Sequence, residues 1–339
     1  MVFEQGPIRP PSEAQSLLIR VTRNCPWNRC RFCPVYKGER FSRRELEEVL
    51  SDVDSVAHFV DRFPAKGQVL DGHFVRDLQS GLAPEQEPAL FAALNWFRGG
   101  MQSIFLQDAD SLRYRPDKLE RILGRIRERF PWSPRVTAYS RSSTLARHGP
   151  EVLAGLKKAG LDRVHVGLES GSGKVLAKMA KGVKAQDHIK GCLAAGEAGL
   201  EVSVYVIPGL GGQDLRHEHA RETARVVNQI RPHFLRLRSL AVIPDSPLAD
   251  DLATGRFKPL NEDSCVEEIR DFISQLDSPG TTVASDHILN LLQNVRGELP
   301  QDQEAMLALL DEYLDLPVEE RLLYRLGRRM GVFSRVAHL

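Results

Sequence analysis

The sequence predicts an α/β fold, a curved and partly open parallel barrel of six β/α units followed by a mostly helical extension. Three observations carry this. Short strand-like runs alternate with helical segments at a spacing of roughly 30 to 40 residues, the length of a βαβ unit with its right-handed crossover. The runs alternate polar with apolar residues, whereas strands of a parallel sheet usually read as continuous apolar stretches because helices cover both faces. Three of the five cysteines fall within nine positions, just after the first run.

The elements follow in order. Ser16–Thr22, short and rich in branched apolar residues, reads as a strand leading into the cysteines. Ser42 with Glu45 three residues on reads as a capping box, and Leu46, Val49, Leu50, Val53, Val56, Ala57 and Val60 recur at helical spacing behind it. The stretch around 64–100 is less periodic and holds a helix near Ala89–Phe97. Strands are then expected at Gln102–Gln107, Arg135–Tyr139, Arg163–Leu168, Val202–Ile207 and Phe234–Leu240, with helices starting near Pro116, Pro150, Ala185 and Arg216. Beyond Pro244-Asp245-Ser246-Pro247 the rhythm stops and residues 261–339 read as mostly helical, with one extra strand at Thr281–Ala284 and Ser285 or Asp286 as the N-cap of a following helix. This divides the chain into a barrel core over 1–250, with a helical insertion at about 40–100, and an extension over 251–339.

Composition limits the function. The 339 residues are 42% apolar and carry 46 Lys+Arg against 45 Asp+Glu, so a net charge of +1 gives no bulk attraction to polyanions, although local basic patches remain. The leader MVFEQGPIRPPSEAQ lacks the layout of a secretion signal, and no run approaches the roughly 20 apolar residues that cross a bilayer. A cytoplasmic protein with no membrane partner is expected. In a reducing compartment, clustered cysteines point to a metal or to catalysis rather than to disulfides.

Asn24-Cys25-Pro26-Trp27-Asn28-Arg29-Cys30-Arg31-Phe32-Cys33 places three thiols on one loop, able to converge on a soft centre. A structural zinc would need a distant fourth ligand such as His73, and a plant-type [2Fe–2S] site, which shares the four-then-two spacing, would need a fourth cysteine. Three unligated cysteines are the bland alternative. The other reading is a [4Fe–4S] cluster with three protein ligands and one iron open to a small molecule.

With these residues in view, the sequence resembles the radical S-adenosylmethionine (radical SAM) superfamily over roughly residues 16–245. The resemblance implies a partial (β/α)6 TIM-like barrel, a [4Fe–4S] cluster on Cys25, Cys30 and Cys33 with Phe32 as the aromatic residue before the last cysteine, and S-adenosylmethionine (SAM) as co-substrate. The commonest spacing in that family has three residues between the first two cysteines, and here there are four. Val166-Gly167-Leu168-Glu169-Ser170 is similar to the segment that sets a Glu and a Ser near the SAM ribose. Pro208 and Gly209 fall at the turn whose backbone lies against the adenine. Gln107 and Asp108 stand where the family receives the methionyl amino group, without its glycines, and Arg141 is a candidate for the SAM carboxylate through a charge-assisted fork. All lie at the C-terminal ends of successive strands, where barrel active sites are built.

Reductive cleavage of SAM would give a 5′-deoxyadenosyl radical that takes hydrogen from a substrate, with a flavodoxin- or ferredoxin-type one-electron reductant as partner. Tyr139, His165, Tyr205, Arg236 and Arg238 are the candidate substrate contacts on the polar strand faces. Together with Arg20 and Arg163 they favour a small anionic metabolite or peptide. A salt-bridged lumen, with His165 a packed strand histidine, is the alternative, as is an open sheet with one wetted face. Arg321, Arg325, Arg328 and Arg329 on the last helix read as a solvated face balancing Glu319 and Glu320 and keep an RNA substrate open. A non-catalytic cluster or zinc protein is the remaining reading.

Overall fold

The computed structural model describes residues 2–65, 68, 70–132 and 135–332. The chain divides into two compact units, one of Met1–Pro26, Gly38–His165 and Glu197–Leu200, the other of Trp27–Lys37, Val166–Gly196 and Glu201–Leu339. The central sheet is mostly parallel and does not close on itself.

In the first unit the strands are β1 (Leu17–Arg20), β2 (Thr22–Arg23), β3 (Ser42–Arg43), β4 (Ser103–Gln107), β5 (Arg135–Tyr139) and the first three residues of β6 (Arg163–Glu169). β1 runs parallel to β4 with Leu17 opposite Ile104, β4 to β5 with Ser103 opposite Arg135, and β5 to β6 with Tyr139 opposite His165. Leu17, Ile19, Ile104, Phe105, Leu106, Val136 and Ala138 are buried along these strands. The helices Leu46–Val60, Glu87–Arg98, Pro116–Arg129 and Ser142–Ala159 cover them, and the first buries Val49, Val53, Val56 and Ala57, the stripe its periodicity defines.

The cap of that helix is not where the sequence places it. Ser42 and Arg43 pair with Thr22 and Arg23 as a short antiparallel ribbon, so the Ser42 backbone is spent on a ladder. The box shifts to Glu45, whose N–H donates to the Glu48 carboxylate at 3.3 Å. The Ser142–Ala159 helix breaks at Gly149, with φ of 70°, one residue before Pro150, the start the sequence suggests.

The second unit holds the rest of β6 and β7 (Glu201–Val206), β8 (Phe234–Leu237), β9 (Thr282–Ala284) and β10 (Arg296–Glu298). β7, β8 and β9 are parallel, with Val206 opposite Leu237 and Arg236 opposite Ala284, and β10 closes the edge antiparallel to β9. The extra strand expected at Thr281–Ala284 is therefore present. No helix follows it: Ser285 donates its N–H to the Val295 carbonyl and the chain loops back. Asn290 takes up the strand ends there, accepting from the Ser239 N–H at 2.7 Å and donating to the Leu237 carbonyl at 2.8 Å, so this polar segment completes the end of β8 instead of capping a helix.

The last helix, Val318–Arg329, also departs from expectation. Arg321 and Arg325 reach Asp263, Arg329 reaches Glu262 at 2.8 Å, and Arg328 donates to the Leu291 carbonyl. Arg321, Arg325 and Arg329 clamp the helix to Glu262–Ser274 instead of balancing Glu319 and Glu320, because the acidic first turn of that helix meets them. No described helix is long and apolar enough to cross a membrane.

Gly171 illustrates how tightly the β6 turn is set. A Cβ there would come within 2.2 Å of the Glu222 carbonyl oxygen, and its N–H donates to Thr223 Oγ1. Gly171→Ala is expected to lower stability by about 1–3 kcal/mol through overpacking against backbone, read as a shift of the denaturant midpoint at constant slope.

Candidate functional site

In the first unit the ends of β1 and β4 are tied to the leader. Gln107 is fully buried; its Oε1 accepts from the Gly6 N–H at 2.8 Å and its Nε2 donates to the Gly6 and Ile8 carbonyls. Asp108, also fully buried, accepts two hydrogen bonds from the Arg20 guanidinium, at 3.1 and 2.7 Å, and one from the Asn24 N–H at 3.3 Å. Gly6 is required there, since a Cβ would stand 2.9 Å from the Asp108 carboxylate oxygens. Asn24 itself has φ of 66°, turning the chain into Cys25.

Asp110, which the sequence reading passed over, organises Arg141. Its carboxylate accepts from the Arg141 N–H at 3.1 Å, Thr144 Oγ1 at 2.7 Å and Ser140 Oγ at 3.2 Å. Burial pushes this carboxyl up, against the pull of those donors. Arg141 thereby sits as the first non-helical residue before Ser142–Ala159, half-buried at the end of β5.

The Tyr139 and His165 rings lie tilted at 57° with centroids 5.8 Å apart, and Phe105 meets the Tyr139 ring edge-on. His165 Nε2 lies 3.0 Å from Glu13 Oε1, both groups fully buried. Burial drives the Glu13 carboxyl up, but His165, Ser16 and Arg135 outweigh it and hold it below the ordinary carboxylate range. His165 is thus a packed strand histidine with a carboxylate partner. The stability that Glu13 lends is complete above its usual value of 4.5 and is lost as pH falls through the lower folded value. Glu13→Gln is expected to flatten the acid limb of the stability curve below that pH, and an acid limb as steep as in the parent would refute the pairing.

In the second unit the loop Trp27–Lys37 carries Cys30, buried, and Cys33, half-buried. It is fastened at several points. Trp27 Nε1 donates to the Ala180 carbonyl at 2.7 Å, and its ring covers Gly182, where a Cβ would come within 2.2 Å. The Arg31 N–H meets the Met179 carbonyl, its own carbonyl accepts from the Leu248 N–H, and its guanidinium pairs with Asp251. Lys37 Nζ donates to the carbonyls of Asn28 and Cys30, each at 2.9 Å. Phe32 packs against Val175, Met179, Ile207, Leu210, Leu248 and Phe257.

Lys181 lies over the Phe32 ring at 5.9 Å and pairs with Glu169 at 2.9 Å. Glu169 has φ of 66°, and its carboxylate folds back over Gly167, where no Cβ would fit. Ser170 is buried and accepts from the Ser172 N–H at 3.0 Å. After β7, Gly209 turns with φ of 84° and donates its N–H to Glu268 Oε1 at 2.7 Å. The same oxygen lies 2.9 Å from His219 Nδ1, and His219 Nε2 lies 3.3 Å from the Glu169 carbonyl. Both ring nitrogens thus face oxygen acceptors. Glu268 and His219, both buried, therefore join the Glu169 and Gly209 turns, and one signal of this stands in the sequence: an acidic residue among the apolar positions Val266, Ile269, Phe272 and Ile273 of its helix.

The remaining candidates are less concentrated. Arg236 pairs with Asp286 at 3.2 Å and lies over Phe234, Tyr205 is half-buried, and Arg238 is exposed beside His287, whose pKa is lowered by burial and by the Arg238 charge. His73 is exposed on the Gly72–Gln79 helix. Among the described residues no group of three or more His, Cys, Asp or Glu side chains is gathered to hold a single metal ion. A lone zinc has no preformed site there, and three thiols within nine residues of sequence are the donor chemistry that an iron–sulfur cluster takes.

The family model described as the radical SAM superfamily matches residues 73–224. Over those residues the chain is similar to the radical SAM superfamily. Two curated relatives are the tRNA uridine(34) acetyltransferases of Methanocaldococcus infernus and Methanocaldococcus jannaschii, 26% and 25% identical over 113 and 122 residues. Those matches cover 33% and 36% of this chain but 21% and 23% of the relatives, so the chain matches less than a quarter of their length. Among solved structures, the radical SAM methyltransferase TsrM of Kitasatospora setae shares the fold, with a TM-score of 0.51 and 16% identity over 89% of this chain and 62% of that one.

Proposed function

We propose that this chain is a radical SAM enzyme that holds a [4Fe–4S] cluster on Cys25, Cys30 and Cys33, uses SAM, and takes hydrogen from a small molecule or peptide. The observation that carries this reading is the fastened Trp27–Lys37 loop, linked through Phe32 and Lys181 to Glu169. When bound, the cluster and SAM supply the electron transfer and the 5′-deoxyadenosyl radical. The chain's own residues position and exclude water. Glu169, oriented by Lys181, and Ser170 would face the ribose; the Pro208 and Gly209 backbone would face the adenine; Arg141, fixed by Asp110, would take the carboxylate. Gln107 and Asp108, saturated by Gly6, Ile8, Arg20 and Asn24, would act by holding the leader and Asn24 in place.

Of the arginines expected to draw an anion, Arg20 and Arg236 are matched by Asp108 and Asp286 and Arg163 is buried, which leaves exposed Arg238, just after β8, as the residue to meet an anionic group of the substrate. The reductant would be of flavodoxin or ferredoxin type. The test is anaerobic loading with iron and sulfide, addition of dithionite and SAM, and chromatography for 5′-deoxyadenosine and methionine. Both are expected in equal amounts, and no release above a protein-free control would overturn the reading.

The relatives that act on tRNA support a second reading, an RNA substrate. It predicts retention on RNA at low salt that falls steeply as salt rises. No retention at low salt would remove it, and the engagement of Arg321, Arg325 and Arg329 by Glu262 and Asp263 favours that result.

A further inference from the structure

A cavity of about 190 Å³ in the second unit lies against the Gly209 turn and extends beyond it to residues with no part in the assignments above. One wall is made by residues that follow three adjacent parallel strands: Pro208 and Gly209 after β7, Ser239 after β8 and Ser285 after β9. The C-terminal ends of parallel strands are where α/β folds take their ligands. The facing wall comes from the extension, with Val266 and Ile269 on one helix and Leu310 on another. Leu289, 42% exposed, stands at its opening.

The size and lining define what fits. An apolar cavity of roughly 150 Å³ takes a benzene ring, so this one has room for a monocyclic aryl or a branched alkyl group of similar bulk. Among the described residues no Lys or Arg lines it, and its carboxylate, Glu262, is paired with Arg329. Its polar features are neutral. Ser239 Oγ accepts from the Cys265 thiol at 3.6 Å, and Ser285 Oγ accepts from Asn290 Nδ2 at 3.0 Å. A hydroxyl that accepts still carries its own proton, so each can donate to an acceptor on a guest.

We propose that this cavity binds an uncharged aryl or branched alkyl group bearing one hydrogen-bond acceptor, as the apolar end of the substrate. This rests on the radical SAM reading of the Gly209 turn, which the cavity shares as a wall. The anionic group left for Arg238 would then be the substrate's other end.

The probes are phenol and toluene, which differ by the hydroxyl, with benzoate and benzylamine as charged counterparts, titrated into the cluster-loaded protein by calorimetry and thermal melting. Phenol is expected to bind saturably and raise the melting temperature, with toluene about fivefold to tenfold weaker, the value of one hydrogen bond, and the charged probes weaker still. Leu289→Trp, at an exposed position, is expected to close the opening and weaken phenol at least about tenfold while the unliganded melting temperature holds; Ser239→Ala is expected to erase the margin of phenol over toluene. Absence of saturable binding in the parent, or equal binding in Leu289→Trp, overturns the pocket. Saturating phenol is also expected to change the yield of 5′-deoxyadenosine at fixed SAM, and an unchanged yield overturns its assignment to the substrate. A protein that binds phenol in this way but releases no 5′-deoxyadenosine would lose the radical SAM reading, and with it the substrate assignment, and keep the pocket; one that cleaves SAM and ignores both aromatic probes would do the reverse.

Discussion

Cys30→Ala is expected to abolish both the visible sulfur-to-iron absorption of the loaded protein and its release of 5′-deoxyadenosine. The loss should be large. Removing a group that merely supports a metal ligand already costs about 10–100-fold in metal affinity, so removing one of three thiolates exceeds about 100-fold. The fold should survive, because the loop is held by Trp27, Arg31 and Lys37 through contacts that do not involve the Cys30 side chain. The controls are built into the chain. Burial pushes the Cys192 thiol up to about 12, and burial with the Glu268 charge pushes Cys265 up to about 12. Neither thiol belongs to the triad, and Cys192→Ala and Cys265→Ala should each retain absorption and product. Iron and sulfide analysis of the three variants side by side decides it: full iron content in Cys30→Ala would remove the triad from the cluster.

The strands were legible because local pattern and tertiary environment agree. Ser103–Gln107, Arg135–Tyr139 and Glu201–Val206 fall within a residue of where branched apolar runs place them, since each is bounded by polar or turn residues and buried along its apolar face. Boundaries failed where a distant partner intervened. Ser42 lost its capping role to a ladder with Thr22 and Arg23, and the run ending at Leu240 stops at Leu237 because Asn290, more than fifty residues on, takes the next backbone groups. The candidate cofactor residues were legible by position and composition. What holds them was not, because Asp110 beneath Arg141, Lys181 beside Glu169 and Glu268 beneath Gly209 are matched through the fold, and a single sequence carries no mark of which buried carboxylate meets which turn.

The last of these gives the second large effect. Glu268→Ala leaves the Gly209 N–H and the His219 ring without their shared acceptor inside a buried site, and each buried polar group left unsatisfied costs about 1–3 kcal/mol. A marked fall in the unfolding midpoint is expected, and a midpoint within error of the parent would show that the pair contributes nothing. Glu268→Gln separates stability from function. An amide oxygen can still accept from Gly209, so the turn keeps its hydrogen bond, while His219 loses the charge opposite it and its hold on the Glu169 carbonyl loosens. If the Glu169 and Gly209 turns face the ribose and adenine, SAM binding measured by calorimetry on the loaded protein should weaken by about tenfold, the equivalent of about 1.4 kcal/mol, with the cluster absorption unchanged. His219→Gln should weaken SAM to a similar degree and add little to Glu268→Gln, since the two act as one unit. Independent, additive losses would mean that Glu268 and His219 support the turns separately. The C-terminal extension would in either case be part of the cofactor wall, because the carboxylate that braces the Gly209 turn comes from its first long helix.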